Sequence, residues 1–184
     1  MNLANRITIA RIVSVPLFVG ALLYGPPEHP YLYWTATGIF LAACISDALD
    51  GWLARRRHEM TELGSYIDPI ADKLLLLSGF LSLSLIPDLP AAMHMPAWVT
   101  IPVLSRDIVI LIGAMILFFT TGQLKPKPIF IGKVTTVVQM ITLAAALMML
   151  PEPLRLLLNG ATVLFTIWSG VLYVRMGSLI LQGS

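Results

Sequence analysis

Four aspartates stand out in a chain otherwise poor in charge: Asp47 and Asp50, then Asp68 and Asp72. The first pair is spaced i, i+3 and the second i, i+4, so on a helix each pair projects from one stripe. Both lie in or beside long apolar runs, where a charge at mid-helix costs about 2.5 to 3.5 kcal/mol on insertion scales and less toward the interface. An antiparallel helix pair would bring the two stripes together, and carboxylates about 5 Å apart repel by roughly 3 kcal/mol at an effective dielectric of 20. Something cationic must hold them. Arg55 and Lys73 are near in sequence, but four clustered oxygen donors more naturally bind one or two hard divalent ions such as Mg²⁺ or Mn²⁺. Gly51, Ala54 and Gly64 flank the acids. Their lack of bulk lets a substrate headgroup approach the backbone and the ions; taken singly, each also serves close helix packing, which is frequent in membranes.

The elements that position these residues follow from composition. Of 184 residues, 57% are hydrophobic and 12% charged, against about 25% charged in an ordinary soluble domain. At roughly 20 apolar residues per span, this length holds about six spanning helices with short connections. Runs punctuated by Pro, Gly and charge place them near residues 9–24, 32–54, 66–87, 97–120, 132–150 and 155–176. The expectation is an all-α integral membrane protein, one domain over residues 1–184, with its metal site between helices 2 and 3.

Lys and Arg set the orientation, since cytoplasmic connections carry the excess. One set of ends holds Arg6, Arg11, Arg55 to Arg57, Lys125, Lys127, Lys133 and Arg175; the other holds Glu28, Asp88 and Glu152 with Arg155. Both termini and the acidic site are therefore expected on the cytoplasmic side. Residues 1–24 resemble a signal peptide, but the Gly25-Pro26-Pro27 that follows lacks a small-x-small cleavage pattern, so a retained first helix is expected. The single cysteine, Cys44, supports no disulfide framework and reads as a buried thiol. A net charge of +2 is too small to suggest a nucleic-acid partner.

Asp47-Ala-Leu-Asp50-Gly51-Trp-Leu-Ala54-Arg55, eight residues, then Gly64-Ser-Tyr-Ile-Asp68-Pro-Ile-Ala-Asp72 resembles the signature D-x-x-D-G-x-x-A-R, gap, G-x-x-x-D-x-x-x-D of the CDP-alcohol phosphatidyltransferases. All eight fixed positions are present, a coincidence expected on the order of once per ten billion positions, which sets it apart from a lone short motif. The resemblance implies six membrane helices and a site open to the cytoplasmic side of a bacterial inner or plasma membrane. It also implies that Asp47, Asp50, Asp68 and Asp72 share two divalent ions, Mg²⁺ or Mn²⁺, which bridge the pyrophosphate of CDP-diacylglycerol. Gly51, Ala54 and Gly64 match positions that admit the cytidine diphosphate, with Arg55 the adjoining basic position. Asp72 matches the residue taken as general base for the acceptor hydroxyl. No protein nucleophile is evident, which favours direct displacement of CMP. Dimers are common in that family, and no residue here specifies one.

The acceptor is read from other segments. Asn2-Leu-Ala-Asn5-Arg-Ile-Thr8-Ile-Ala-Arg11-Ile, with Pro16, Ser105-Arg106-Asp107, and Ile131-Gly132-Lys133-Val-Thr135-Thr136-Val-Val-Gln139 resemble two subfamilies, the phosphatidylglycerophosphate synthases and the CDP-lipid-dependent cardiolipin synthases. A guanidinium within the fourth span needs an anion or a cavity, so Arg106 with Lys133 is expected to hold the phosphate of an alcohol acceptor; an ion pair of Arg106 with Asp107 or the aspartates is the alternative. Glycerol 3-phosphate is the first reading, from length and layout. Phosphatidylglycerol is the second, from Lys125-Pro-Lys127-Pro and from Arg106-Asp107 where many phosphatidylglycerophosphate synthases have Arg-Glu. Arg56, Arg57, Lys125 and Lys127 suit the anionic leaflet surface. Acidic membrane residues also serve cation transporters, but those show repeats or matched broken helices, and this sequence shows neither.

Overall fold

The apolar runs fold as helices because a membrane interior leaves the backbone no other partner for its N–H and C=O groups. The structure, a computed structural model, describes residues 3–25, 29–57, 62–121 and 129–182; for 3–8, 47–57, 62–70, 72, 118, 121, 181 and 182 it describes the backbone alone. Among the described residues there are six helices: α1 (Leu3–Leu23), α2 (Tyr31–Arg57), α3 (Glu62–Leu85), α4 (Ala97–Thr121), α5 (Phe130–Leu147) and α6 (Glu152–Gln182). Each falls on an expected span. Portions of α4 (Ala97–Leu117), α5 (Phe130–Leu147) and α6 (Glu152–Ile180) are long and apolar enough to cross a membrane by length and composition, and shorter apolar stretches occupy Ile9–Leu23, Tyr31–Ser46 and Lys73–Leu85.

The main departures are at helix ends. Helix α5 stops at Leu147 rather than continuing to residue 150. Met149 has φ 52°, its N–H donates to Ala146 O at 3.0 Å, and Leu150 N–H reaches back to Ala145 O at 3.0 Å. That is a Schellman ending with Met149 in the left-handed position usually given to glycine. Pro151, just beyond, cannot continue the helix, but its carbonyl accepts the amides of Leu154 and Arg155, both at 3.1 Å, so α6 begins at Glu152 rather than 155. The acid suits the positive end of the new helix dipole.

Contacts divide the chain into two units, Met1–Met95 with Leu143–Leu150, and Pro96–Thr142 with Pro151–Ser184. In the first, α1 packs against α2 and α3. Its core takes Phe18 and Leu22 from α1, Phe40 from α2, and Leu75, Phe80 and Leu83 from α3, all nearly inaccessible; the rings of Phe18 and Phe40 lie 6.0 Å apart. Gly79 leaves room for Leu143, whose Cδ1 would stand 2.9 Å from an added Cβ. Thr37 Oγ1 donates to Tyr33 O at 2.8 Å and Leu147 O at 3.2 Å, the latter one of the carbonyls left open at the end of α5. Cys44, expected buried, is half-buried.

In the second unit α4 packs against α6. Thr135, Gln139 and Thr142 on α5, and Thr162, Thr166 and Ser169 on α6, are all buried. Thr142 and Thr162 hydroxyls lie 2.7 Å apart, Gln139 Nε2 donates to Thr166 Oγ1 at 3.2 Å, and Thr135 Oγ1 donates to Phe165 O at 3.2 Å. Polar residues thus link two apolar helices, the usual substitute in lipid for a hydrophobic driving force. Outward faces of α4 and α6 carry exposed Leu111, Ile112, Phe119, Leu157, Val171 and Val174. Such apolar surface suits hydrocarbon.

Candidate active site

The backbone is helical at all four aspartates, Asp47 and Asp50 on α2 and Asp68 and Asp72 on α3. Their register is informative. On α2 the buried residues Tyr33, Ala36, Thr37, Phe40 and Ala43 advance by helical steps, and the same stripe continues through Asp47, Asp50, Gly51 and Ala54. On α3 the buried stripe of Leu83, Phe80, Leu76 and Leu75, followed back toward the N-terminus, passes through Asp72, Asp68 and Gly64. By spacing alone, the acids continue the register of those stripes on both helices. The side chains of these residues and of Arg55 lie outside those described, as do residues 58–61. Among the described residues no group of three or more His, Cys, Asp or Glu side chains occurs. The donor set itself, four carboxylates and no soft ligand, fits hard divalent cations.

Arg106 on α4 is only 7% exposed. Its Nη1 is 2.7 Å from Asp107 Oδ1, its Nη2 donates to Ser169 Oγ at 2.8 Å, and its guanidinium carbon is 5.3 Å from the centre of the Tyr173 ring. The alternative pairing with Asp107 is thus present. It uses one edge of the guanidinium: Arg106 Nε is buried and has no hydrogen-bond partner among the described residues. A buried donor left unsatisfied is costly and draws an acceptor. Arg106 also lines a cavity of about 620 Å³ between α4 and α6, together with Ser105, Thr166, Gly170, Arg175 and Ser178. Lys133, at the start of α5, is exposed and is not among that cavity's lining. Lys125 and Lys127 lie outside the described residues.

The residues around Arg106 that the sequence did not single out are Ser169, Tyr173 and Arg175. One signal for the first two was available: Thr162, Thr166, Ser169 and Tyr173 recur at helical spacing within an apolar span, where polar groups need partners.

The pattern of the CDP-alcohol phosphatidyltransferases matches residues 1–168. The chain belongs to that family. Its relatives include a protein named probable phosphatidylglycerophosphate synthase from Mycobacterium tuberculosis, 37% identical over 177 residues, covering 94% of this chain and 80% of the relative. A CDP-diacylglycerol–glycerol-3-phosphate 3-phosphatidyltransferase from Blochmanniella floridana is 32% identical over 191 residues, 98% of this chain and 94% of its own. A CMP-forming cardiolipin synthase from Oryza sativa subsp. japonica is 33% identical over 193 residues, 95% of this chain but 57% of the relative. Family membership and the apolar helices make this an integral membrane transferase.

Proposed function

We propose that the chain transfers the phosphatidyl group of CDP-diacylglycerol to glycerol 3-phosphate, releasing CMP and forming phosphatidylglycerophosphate. The observation that carries this reading is the intact eight-residue motif, set on two helices with its acids in the register of their buried stripes. Relatives named for that reaction match this chain over nearly its whole length.

In the reaction, the acceptor hydroxyl oxygen forms a bond to the phosphorus that bears the diacylglycerol. The bond from that phosphorus to CMP breaks, and the hydroxyl proton passes to the Asp72 carboxylate as general base. Asp47, Asp50, Asp68 and Asp72 would hold two divalent cations, Mg²⁺ or Mn²⁺, whose chemistry when bound is to offset phosphate charge and stabilise the leaving group. Gly51, Ala54 and Gly64 give the cytidine diphosphate access to the helix backbones, and Arg55 adds a positive charge next to it. Arg106, which lines the cavity between α4 and α6, holds the acceptor phosphate; Lys133, exposed and outside that lining, adds positive charge at the start of α5.

Read as six spans with the Lys and Arg excess on one set of ends, the chain would keep both termini and the site on the cytoplasmic side of a bacterial inner or plasma membrane, within one domain covering residues 1–184. The cardiolipin synthase reading, with phosphatidylglycerol as acceptor, is favoured by one feature, the Arg106-Asp107 pair together with the Lys-Pro-Lys-Pro run at 125–128. An acceptor panel decides between them. Purified protein with CDP-diacylglycerol and Mg²⁺ is offered glycerol 3-phosphate, phosphatidylglycerol, inositol phosphate or serine, and products are identified by mass. Phosphatidylglycerophosphate with matching CMP is expected; consumption of phosphatidylglycerol alone would reject the first reading, and absence of CMP with every acceptor would reject both.

A further inference from the structure

Gly132 sits at the start of α5, and the space where its Cβ would stand is already used. An added Cβ would lie 2.8 Å from the Tyr173 hydroxyl, 3.1 Å from Tyr173 Cε2 and 3.3 Å from Arg106 Nη2. The same tyrosine ring lies 5.3 Å from the Arg106 guanidinium carbon. Arg106 is also held by Asp107 at 2.7 Å and by Ser169 at 2.8 Å, and Gly170 leaves its Cγ an ordinary contact at 3.5 Å. Groups on α4 and α6 thus fix one guanidinium, Gly132 of α5 leaves them room, and Nε stays without a partner among the described residues.

We infer that Gly132 and Tyr173 are positioning residues for the acceptor site: the absence of a side chain at residue 132 lets the Tyr173 ring lie against Arg106 and hold its guanidinium at the wall of the cavity between α4 and α6, where a phosphate would meet it. The inference rests on the reading of Arg106 as the acceptor-phosphate ligand. A cation–π contact attracts the guanidinium to the ring face, whereas Asp107 and Ser169 engage only the two terminal nitrogens. Removing the ring contact leaves the side chain free to turn about those two anchors. The backbone at residue 132 needs no unusual conformation, so the steric argument alone explains a glycine there.

The test is acceptor and donor kinetics on the full-length protein in detergent or lipid, with folding followed by size-exclusion profile. Gly132→Ala forces the tyrosine tip and Nη2 aside. Displacement of a positioning group by about 1 Å costs on the order of a hundredfold in rate, and the smaller tilt here is expected to raise the KM for glycerol 3-phosphate roughly tenfold, leaving the KM for CDP-diacylglycerol within about twofold. Tyr173→Phe keeps the ring and serves as the background against which the double variant is compared. The double variant Gly132→Ala/Tyr173→Phe removes the closest clashing atom and is expected to recover most of the acceptor KM. Tyr173→Leu removes the ring without adding atoms and should weaken the acceptor alone, so it carries the test should Gly132→Ala not fold.

Arg106→Gln separates the two levels of failure. If it leaves acceptor kinetics unchanged, the acceptor-pocket reading falls and this inference with it. If Arg106→Gln is damaging while Gly132→Ala and Tyr173→Leu behave like the parent, the positioning role alone is overturned. A loss shared equally by donor and acceptor, or one that Tyr173→Phe fails to relieve, overturns it too.

Discussion

Replacing Asp107 asks whether the Arg106 ion pair is the purpose of that arginine or only its support. The carboxylate is 20% exposed and the guanidinium 7%, with Nη1 and Oδ1 2.7 Å apart. Charge centres about 4 Å apart attract by about 4 kcal/mol at an effective dielectric of 20. Desolvating the guanidinium takes back much of that, so the net worth is that of a charged hydrogen bond, about 1.5 to 3 kcal/mol. Asp107→Asn keeps the shape and one acceptor oxygen while removing the charge, and should cost stability toward the lower end of that range. Its acceptor KM should stay within about threefold, because the charge that holds the phosphate is intact and less neutralised. Arg106→Ala should lose roughly ten- to a hundredfold in acceptor kcat/KM, the worth of one charge-assisted hydrogen bond. The assay pairs thermal unfolding in detergent with initial rates at varied glycerol 3-phosphate and CDP-diacylglycerol. Equal damage to acceptor kinetics in Asp107→Asn and Arg106→Ala would refute the reasoning and make the ion pair the reason for the arginine.

Chelation should abolish turnover and added Mg²⁺ or Mn²⁺ restore it, with an upward shift in unfolding temperature on adding the ion to stripped protein; full activity in excess chelator would end the two-metal reading. Asp72→Asn should lower kcat by about 10² or more while CDP-lipid binding falls far less, and near-normal turnover would reject its role as base. Met149→Gly should stabilise the protein: a non-glycine residue in the left-handed region costs about 1 to 2 kcal/mol, glycine's added chain entropy takes back about 0.5 to 1, and a lowered unfolding temperature would contradict the Schellman ending.

Much of the helix layout was legible in the sequence because it is written in local spacing. A run of apolar residues bounded by Pro, Gly and charge dictates a helix wherever lipid denies the backbone other partners, and all six helices of the described residues fall on such runs. Acids at i, i+3 and i, i+4 share a stripe in any α-helix, so the relation among Asp47, Asp50, Gly51 and Ala54 needed no tertiary information. The end of α5 was less legible: Pro151 signals a stop, but the left-handed turn at Met149 carries no glycine to announce it.

What tertiary structure alone decided is the setting of Arg106. Sequence marks a guanidinium within a span as needing an anion and offers neighbouring Asp107 as one. It does not say that Ser169 and Tyr173, more than sixty residues onward, complete the clamp, or that Arg175 shares its cavity. Nor does it say that Gly132 is small for the sake of that clamp while the adjoining Lys133 points to the exterior. Helical periodicity specifies which residues share a face, but the facing of one helix toward another is fixed by packing among side chains distant in the chain. The same spacing rule that aligned the aspartates could therefore not choose which residue of α6 meets α4.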